Sequence, residues 1–169
     1  MSRMKLIGMA AAAGALVAAC AMPAAAQEPK SGGILKFATQ GEPTTYDCAA
    51  GTSIVALQYL APHYSGLIAF DNNNYPEIVG DLAKEWTVSD DGLTYSFTLH
   101  PDVKFHDGSP LTSADVKATF ERIANPPQGV VSIRKGGYVQ LAAIETPAPD
   151  QVVFKLKAPS AGFLSTLAN

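Results

Sequence analysis

Histidine and cysteine are the residue types of this chain best suited to nucleophilic catalysis or transition-metal binding, and they are sparse. The sequence holds three histidines and two cysteines, namely His63, His100, His106, Cys20 and Cys48. A zinc site needs ligands at close spacing, such as two histidines four residues apart on a helix or a C-x-x-C pair, and neither occurs. A G-x-S-x-G nucleophile elbow is also missing from the sequence. We therefore predict a protein that is not an enzyme and binds no metal or cofactor.

His106 and Asp107 are adjacent, but adjacency is poor support for a catalytic dyad because side chains at successive positions of a strand end point apart. With Gly108 next in the chain, these residues predict an exposed turn. Loops of the forms G-x-x-x-x-G-K-[ST] and G-x-G-x-x-G, which cradle phosphates, do not occur in the sequence. No nucleotide-binding loop is therefore expected.

The composition of the 169 residues fits one compact core, since 47% are apolar and the chain has 12 Lys+Arg against 15 Asp+Glu. Residues 1–26 contain two of the basic residues and no acidic one, so their removal leaves 10 basic and 15 acidic residues, a formal charge of −5. Surfaces that bind nucleic acids need clustered Lys and Arg to displace counterions from phosphates. The acidic balance therefore argues against a nucleic acid as the partner.

The first 26 residues have the pattern of an export signal. Arg3 and Lys5 form a positive start, residues 6–19 form an apolar stretch, and residues 24–26 are three alanines suited to a signal peptidase. We expect cleavage after Ala26 and an exported mature protein. Cys48 would then be the only thiol, so no disulfide could form within the chain.

Two alternatives stay open for this segment. Residues 6–26 carry no charge over 21 positions and could just span a membrane uncleaved. Residues 17–20, Val-Ala-Ala-Cys, resemble the bacterial lipobox, in which the cysteine is acylated and becomes the mature terminus. Cys20 is therefore a candidate lipidation site, and the mature protein would then be lipid-anchored.

The elements that must position any binding residue can be read from the alternation of apolar residues. Residues 94–99 alternate most clearly, and a turn at residues 90–92 should pair them with the segment around Trp86 as a hairpin. A second alternating strand is predicted at residues 151–157, with residues 138–144 as its hairpin partner. The short apolar run at residues 34–39, bounded by glycines, predicts a buried strand.

Helical patterns occur at four places. Residues 52–64 have Ile54, Leu57 and either Leu60 or Ala61 at helical spacing, and Pro62 limits the helix. Residues 78–86 carry a short helical pattern. Thr112 and Asp115 fit the capping box of a helix that runs to about residue 124. Residues 160–169 resemble the opening of a further helix, and because the chain stops there without a cap, we expect a truncated chain.

Two neighbouring stretches, AKEWTVSDDGLTYSFTL at residues 83–99 and VKFHDGSPLTSADV at residues 103–116, carry a family resemblance. They closely resemble the solute-binding proteins of peptide- and nickel-type ABC importers, bacterial extracellular family 5. Looser similarity extends over residues 33–169. Two departures are visible: His100 stands where the family usually has Arg or Lys, and Tyr46-Asp47-Cys48 replaces the commoner Leu-Asp-Pro in a loop near the ligand cleft.

The resemblance implies an α/β fold of the type II periplasmic-binding-protein kind, in which two lobes close on a solute and a third domain is added. Within the piece present here the class would be α+β. Residues 27–70 would begin the first lobe and residues 71–169 would form most of the extra domain, with the asparagine-rich residues 71–74 at the boundary. The aromatic and aliphatic signature residues are expected in the core rather than at the ligand: Trp86, Tyr95, Phe97, Leu99 and Phe105.

The same resemblance implies the site and the function. It places the segments after the first strand and after the capped helix at the rim of the cleft, so the expected ligand-binding residues are Tyr46, Thr52, Ser53 and Arg134. The implied function is the periplasmic component of an ABC importer, a monomer that binds a peptide-like small solute and delivers it to the inner-membrane permease. A secreted hydrolase and a truncated remnant that binds nothing are the alternatives.

Overall fold

A computed structural model describes residues 31–34, 36–51 and 53–169. The predicted export signal with Cys20, and the candidate Thr52, lie outside the described residues. Residues 38–169 form one compact unit, and the described residues before them belong to a separate unit. The strand predicted at residues 34–39 is wrong for the described residues of that run, which lie outside any strand. Ile34 and Phe37 are 89% and 59% exposed, and no strand of the described sheets pairs with this run.

The described part of the chain contains three α-helices, six β-strands and a short 3-10 helix. In chain order they are α1 (Ile54–Leu60), β1 (Ile68–Phe70), β2 (Ile78–Gly80), β3 (Ala83–Val88), β4 (Thr94–Leu99), α2 (Ser113–Ala124), the 3-10 helix (Lys135–Tyr138), β5 (Leu141–Ala148), β6 (Gln151–Leu156) and α3 (Phe163–Leu167). None of the helices in this part of the chain has the length and apolar character needed to cross a membrane.

The main sheet has four antiparallel strands in the order β3-β4-β6-β5. The predicted hairpin of β3 and β4 is confirmed, with Trp86 opposite Phe97 and Val88 opposite Tyr95. The predicted hairpin of β5 and β6 is also confirmed, although β5 begins at Leu141 because the preceding residues form the 3-10 helix. Both hairpins follow from alternation that can be read locally along the chain.

The core lies on the face of the sheet that β4 and β6 fill with alternate side chains. Phe97 and Phe154 are at most 1% exposed and meet edge to face, with ring centroids 5.7 Å apart. Helix α2 packs on this face through Phe120, whose ring lies 5.1 Å from that of Phe154. Helix α3 adds Phe163, 4.8 Å from the ring of Tyr95. The buried aromatic layer therefore joins both hairpins to both helices.

The expected core residues of the signature are confirmed with one exception. Trp86 is half-buried and stacks on Phe97, with ring centroids 6.3 Å apart. Phe105 is 43% exposed, so its placement in the core was wrong. Beyond β4 the chain forms a single isolated bridge between Lys104 and Pro110. Because no sheet continues through that segment, the period-2 pattern there does not carry Phe105 into the interior.

The helix expected at residues 78–86 was also wrong, because these residues form β2, a tight connection and the start of β3. Strand β2 pairs with β1, and β3 pairs with β4. Pairing with neighbours outside the segment overrides its weak helical spacing. At the end of β2, a Cβ atom on Gly80 would lie 2.2 Å from the carbonyl oxygen of Ala83, so this connection has no room for a side chain.

Helix α1 forms where it was predicted and ends before Pro62. Its buried residues are Ala56 and Leu60, whereas Ile54 and Leu57 are 62% and 40% exposed. Of the expected apolar stripe, Leu60 therefore packs against the rest of the unit, whereas Ile54 and Leu57 are exposed to solvent. The strands β1 and β2 pair across the asparagine-rich turn at residues 71–74, and a domain division at this point stays a prediction.

Candidate functional site

The candidate site centres on the loop at residues 47–49, which we call the anchored loop. The Asp47 carboxylate accepts a hydrogen bond from the Ala49 amide at 2.9 Å, and the Asp47 carbonyl accepts one from the Ala50 amide at 3.1 Å. The Thr45 hydroxyl oxygen accepts a bond from the Asp47 amide at 3.1 Å. Aspartate at the head of a turn forms such bonds to its own backbone, which explains why the chain reverses here.

Three residues from the segment after β4 donate hydrogen bonds to the anchored loop. The guanidinium of Arg122, on α2, donates from Nη1 to Asp47 Oδ1 at 3.2 Å and from Nη2 to Asp47 Oδ2. Arg134 Nε donates to the Cys48 carbonyl at 3.1 Å, and the Ile133 amide donates to the Ala49 carbonyl at 3.1 Å. Three consecutive loop residues thus each accept a bond from residues 122–134.

The ion pair between Arg122 and Asp47 is charged at neutral pH. The hydrogen bonds from the Arg122 guanidinium and then from the Ala49 amide hold the pKa of Asp47 below its ordinary value. The hydrogen bonds to the Asp47 carboxylate, and then the negative charge of that carboxylate, raise the pKa of Arg122. A bidentate bond between guanidinium and carboxylate also fixes the relative orientation of the two planes. The pair therefore defines where the start of the anchored loop lies relative to α2.

The four residues expected to bind ligand are not all brought together. Arg134 contacts the anchored loop, and Ser53 is exposed four residues after this loop, at the start of α1, with no capping hydrogen bond from its side chain. Thr52 lies outside the described residues. Tyr46 precedes the anchored loop directly, but its ring turns to a different cavity. The structure thus joins Arg134 to the loop that leads into Ser53, and separates Tyr46 from Arg134.

Tyr46 lies at the edge of a cavity of about 800 Å³, which we call the aromatic cavity. Its hydroxyl donates to Glu42 Oε2 at 3.2 Å, and its ring meets that of Tyr59 edge to face at 6.1 Å between centroids. The cavity lies between α1 with the residues after it and the segment after β4. Its polar and aromatic lining includes Tyr59, His63, Tyr64, Lys104, Phe105 and His106.

Sequence reasoning treated His63 and His106 as isolated, yet both line the aromatic cavity. They lie 43 positions apart, so no local pattern could have paired them. The described residues contain no group of three or more His, Cys, Asp or Glu side chains placed to hold a metal ion. The cavity offers aromatic faces, hydroxyl groups and the Lys104 cation, which suit hydrogen bonding and stacking.

Arg134 lines a second cavity of about 370 Å³, between the 3-10 helix and α3. Tyr138 closes one side of this cavity and donates its hydroxyl to the Thr166 carbonyl at 3.4 Å. Burial raises the pKa of Tyr138 to about 12, and the neighbouring Arg134 cation opposes that rise. At neutral pH Tyr138 is therefore an uncharged hydrogen-bond donor beside the guanidinium.

Comparison with known proteins places this geometry in a family. The family model described as bacterial extracellular solute-binding proteins, family 5 Middle, matches residues 77–169. This match covers more than half of the chain. The chain belongs to the bacterial extracellular solute-binding proteins of family 5, as the resemblance of residues 83–116 implied.

Individual relatives agree with this assignment. The chain is 41% identical over 109 residues to a putative ABC transporter peptide-binding protein of Brucella ovis, with 64% of this chain and 20% of the relative covered. It is 34% identical over 159 residues to a probable D,D-dipeptide-binding periplasmic protein of Escherichia coli, with 92% and 30% covered. The solved structure of the periplasmic binding protein AgaA of Agrobacterium tumefaciens R10, in complex with agropinic acid, superposes with a TM-score of 0.70 at 32% identity.

The superposition with AgaA covers 76% of this chain and 25% of that protein. The described residues therefore have the mixed α/β fold of this part of a family 5 binding protein, as expected from the sequence. The chain spans 20% to 30% of the length of these relatives. The activity of the whole protein is accordingly a matter of proposal.

Proposed function

We propose that this chain belongs to the solute-capturing component of an ABC importer, which binds a peptide or a similar small solute carrying a carboxylate and delivers it to a membrane permease. The observation that carries the proposal is the contact between Arg134 and the anchored loop. It places a cation against the backbone of that loop, in a chain whose family members bind solutes. The action is capture by closure, without bond chemistry.

The solute class follows from the groups around Arg134. Its Nε donates to the Cys48 carbonyl and its Nη1 donates to the Asn169 carbonyl at 3.4 Å. Within the described residues Nη2 makes no hydrogen bond. A guanidinium held in this way can form a charge-assisted bond to a carboxylate. Dipeptides and opine acids both carry a carboxylate, and the names of two relatives refer to such solutes. Thr52 and Ser53 would add hydroxyl contacts from the residues that follow the anchored loop, whereas Tyr46 would offer a stacking face in the aromatic cavity.

The domain organisation and location complete the proposal. Residues 27–70 would begin the first lobe, and residues 71–169 would form most of the extra domain. Export through residues 1–26 would place the protein in the periplasm, either free after cleavage at Ala26 or lipid-anchored through Cys20. Mass spectrometry of the protein recovered from its own bacterium separates these cases, because a terminus at Gln27 and an acylated terminus at Cys20 differ in mass by far more than the measurement error.

Solute binding is tested by calorimetric titration and thermal unfolding of the full product of the gene. The probes are D-alanyl-D-alanine, L-alanyl-L-alanine and agropinic acid, each with its carboxyl amide as the matched control. We expect at least one acid to raise Tm by several degrees at 100 times its Kd, which corresponds to about 2.7 kcal/mol of added stability. The amide should bind more weakly. If none of the three acids shifts Tm at millimolar concentration, the proposed solute class is wrong.

A further inference from the structure

We propose that Arg122 is a positioning residue of the solute site: through Asp47 it fixes the anchored loop in the orientation that a solute meets. This inference rests on the proposed function and extends it to a residue that sequence reasoning did not single out. Arg122 lies on α2 and points to a residue 75 positions earlier.

The first support is the form of the contact. Two Nη atoms of Arg122 bond the two carboxylate oxygens of Asp47, and this bidentate contact restricts the orientation of one group relative to the other. Lysine cannot reproduce this fork, since its ammonium is a point charge on a flexible stem. The carboxylate also accepts the Ala49 amide. Arg122 is thereby connected through the Asp47 carboxylate to the backbone of the anchored loop.

The second support is the common origin of the contacts. The segment that supplies the Arg122 fork also supplies the Ile133 amide to Ala49 and Arg134 Nε to Cys48. The loop and the Arg134 guanidinium are therefore held as one unit. A binding site needs its contacting groups fixed within a fraction of an ångström, and residues behind the contact surface provide this.

The third support is exposure. The side chains of Arg122 and Asp47 are 42% and 32% exposed. Ion pairs with this exposure contribute little to the global stability of a protein. The pair can nevertheless hold a loop whose residues lack regular secondary structure. Removal of the pair should therefore affect solute affinity more than it affects unfolding.

The experiment measures the Kd of the acid that binds best and the Tm of each variant in the full gene product. Arg122→Met should weaken the Kd about fivefold, and Arg122→Lys about twofold because it keeps the charge but loses the fork. Lys117→Met is the matched control. Within the described residues, Lys117 pairs with Glu121 at 3.7 Å on the same helix and makes no hydrogen bond or ion pair with the anchored loop. The Kd of Lys117→Met should therefore stay within the error of the wild-type value. Asp47→Asn removes the partner charge and should match Arg122→Met, which keeps the test valid if one variant fails to fold.

A second readout follows the loop without any solute. A fluorophore on the exposed Cys48, in a Cys20→Ser background, reports loop motion through its anisotropy. Arg122→Met should lower the anisotropy and Lys117→Met should not. If Arg122→Met and Asp47→Asn bind with the Kd of Lys117→Met and leave the anisotropy unchanged, the inference is overturned. If the anisotropy falls while the wild type binds no acid, the proposed function fails and the anchoring of the loop by Arg122 stands.

Discussion

Arg134 Nε donates a hydrogen bond of 3.1 Å to the carbonyl oxygen of Cys48, 86 positions earlier in the chain. This bond fixes the plane of the guanidinium, because Nε is the atom nearest the stem of the side chain. Nη1 also donates to the Asn169 carbonyl at 3.4 Å, so two hydrogen bonds orient the guanidinium. A guanidinium with a fixed plane loses less conformational entropy on binding a carboxylate than a free one.

Replacement of Arg134 should weaken the binding of acids much more than the binding of their amides. We expect Arg134→Gln to weaken the binding of the best acid about tenfold, as for the loss of one charge-assisted hydrogen bond, and to leave its carboxyl amide almost unaffected. Isothermal titration with the acid and its amide measures both values. Equal losses for the two ligands would show that Arg134 supports the fold and does not meet the carboxylate.

The ion pair of Asp47 predicts a pH dependence of stability. Hydrogen bonds from Arg122 and from the Ala49 amide hold the pKa of Asp47 below 3.8 in the folded state. This stabilisation is present above the unfolded-state value of about 3.8 and is lost as pH falls through the lower folded-state value. Urea unfolding should therefore show Asp47→Asn less stable than wild type at pH 7, with a smaller difference at pH 3.

Asp71 provides the control for this prediction. Its pKa is lowered by hydrogen bonds from the Asn73 amide and from the Asn74 side chain, and no cation is among the causes. Salt at 1 M screens a partly exposed ion pair but leaves short bonds to neutral donors largely intact. At pH 7, we expect added salt to reduce the difference in the free energy of unfolding between Asp47→Asn and wild type. The corresponding difference for Asp71→Asn should not change. The same response in both variants would mean that the Arg122 charge is unimportant.

The core of the sheet predicts that the same Val→Ala substitution changes the free energy of unfolding by different amounts at two positions. Val152 on β6 is 0% exposed, whereas Val139 is 63% exposed. Val152→Ala removes two methyl groups from a closed core and should lower the free energy of unfolding by about 2 kcal/mol. Val139→Ala removes the same groups from a wet surface and should cost less than about 0.5 kcal/mol. Chemical denaturation of both variants measures the difference, and similar losses would contradict the burial of β6.

The connection between β2 and β3 predicts that Gly→Ala has different effects on stability at two positions. A Cβ atom at Gly80 would lie 2.2 Å from the Ala83 carbonyl oxygen, so Gly80→Ala must move backbone and should destabilise by about 1–3 kcal/mol. A Cβ atom at Gly136 meets nothing within 4 Å, and that residue does not have a positive φ. Gly136→Ala should therefore be neutral or stabilise by up to about 1 kcal/mol. Thermal unfolding checks the pair, and a harmless Gly80→Ala would disprove the tight connection.

Local patterns predicted the parts of the fold whose partners are near in the chain. The β3–β4 hairpin follows from alternation on both sides of a turn, and α2 follows from the capping box at Thr112 and Asp115. The strand expected at residues 34–39, the helix expected at residues 78–86 and the buried position of Phe105 were wrong. In each case the local structure depends on whether a partner strand is present among the described residues. A short window of sequence contains no information about such a partner.

The amino-acid sequence determined the family, the two hairpins, the capped helix and the residue types available to a solute, because these depend on spacing over at most a few tens of positions. The tertiary structure decided that Arg122 bonds Asp47, that Arg134 joins the anchored loop, and that His63 and His106 share a cavity with Tyr46. The two hydrogen-bonded pairs lie 75 and 86 positions apart, and the two histidines of the cavity lie 43 apart, so these relationships depend on how the sheet and helices pack. Packing is a property of the whole unit, so no single segment encodes it.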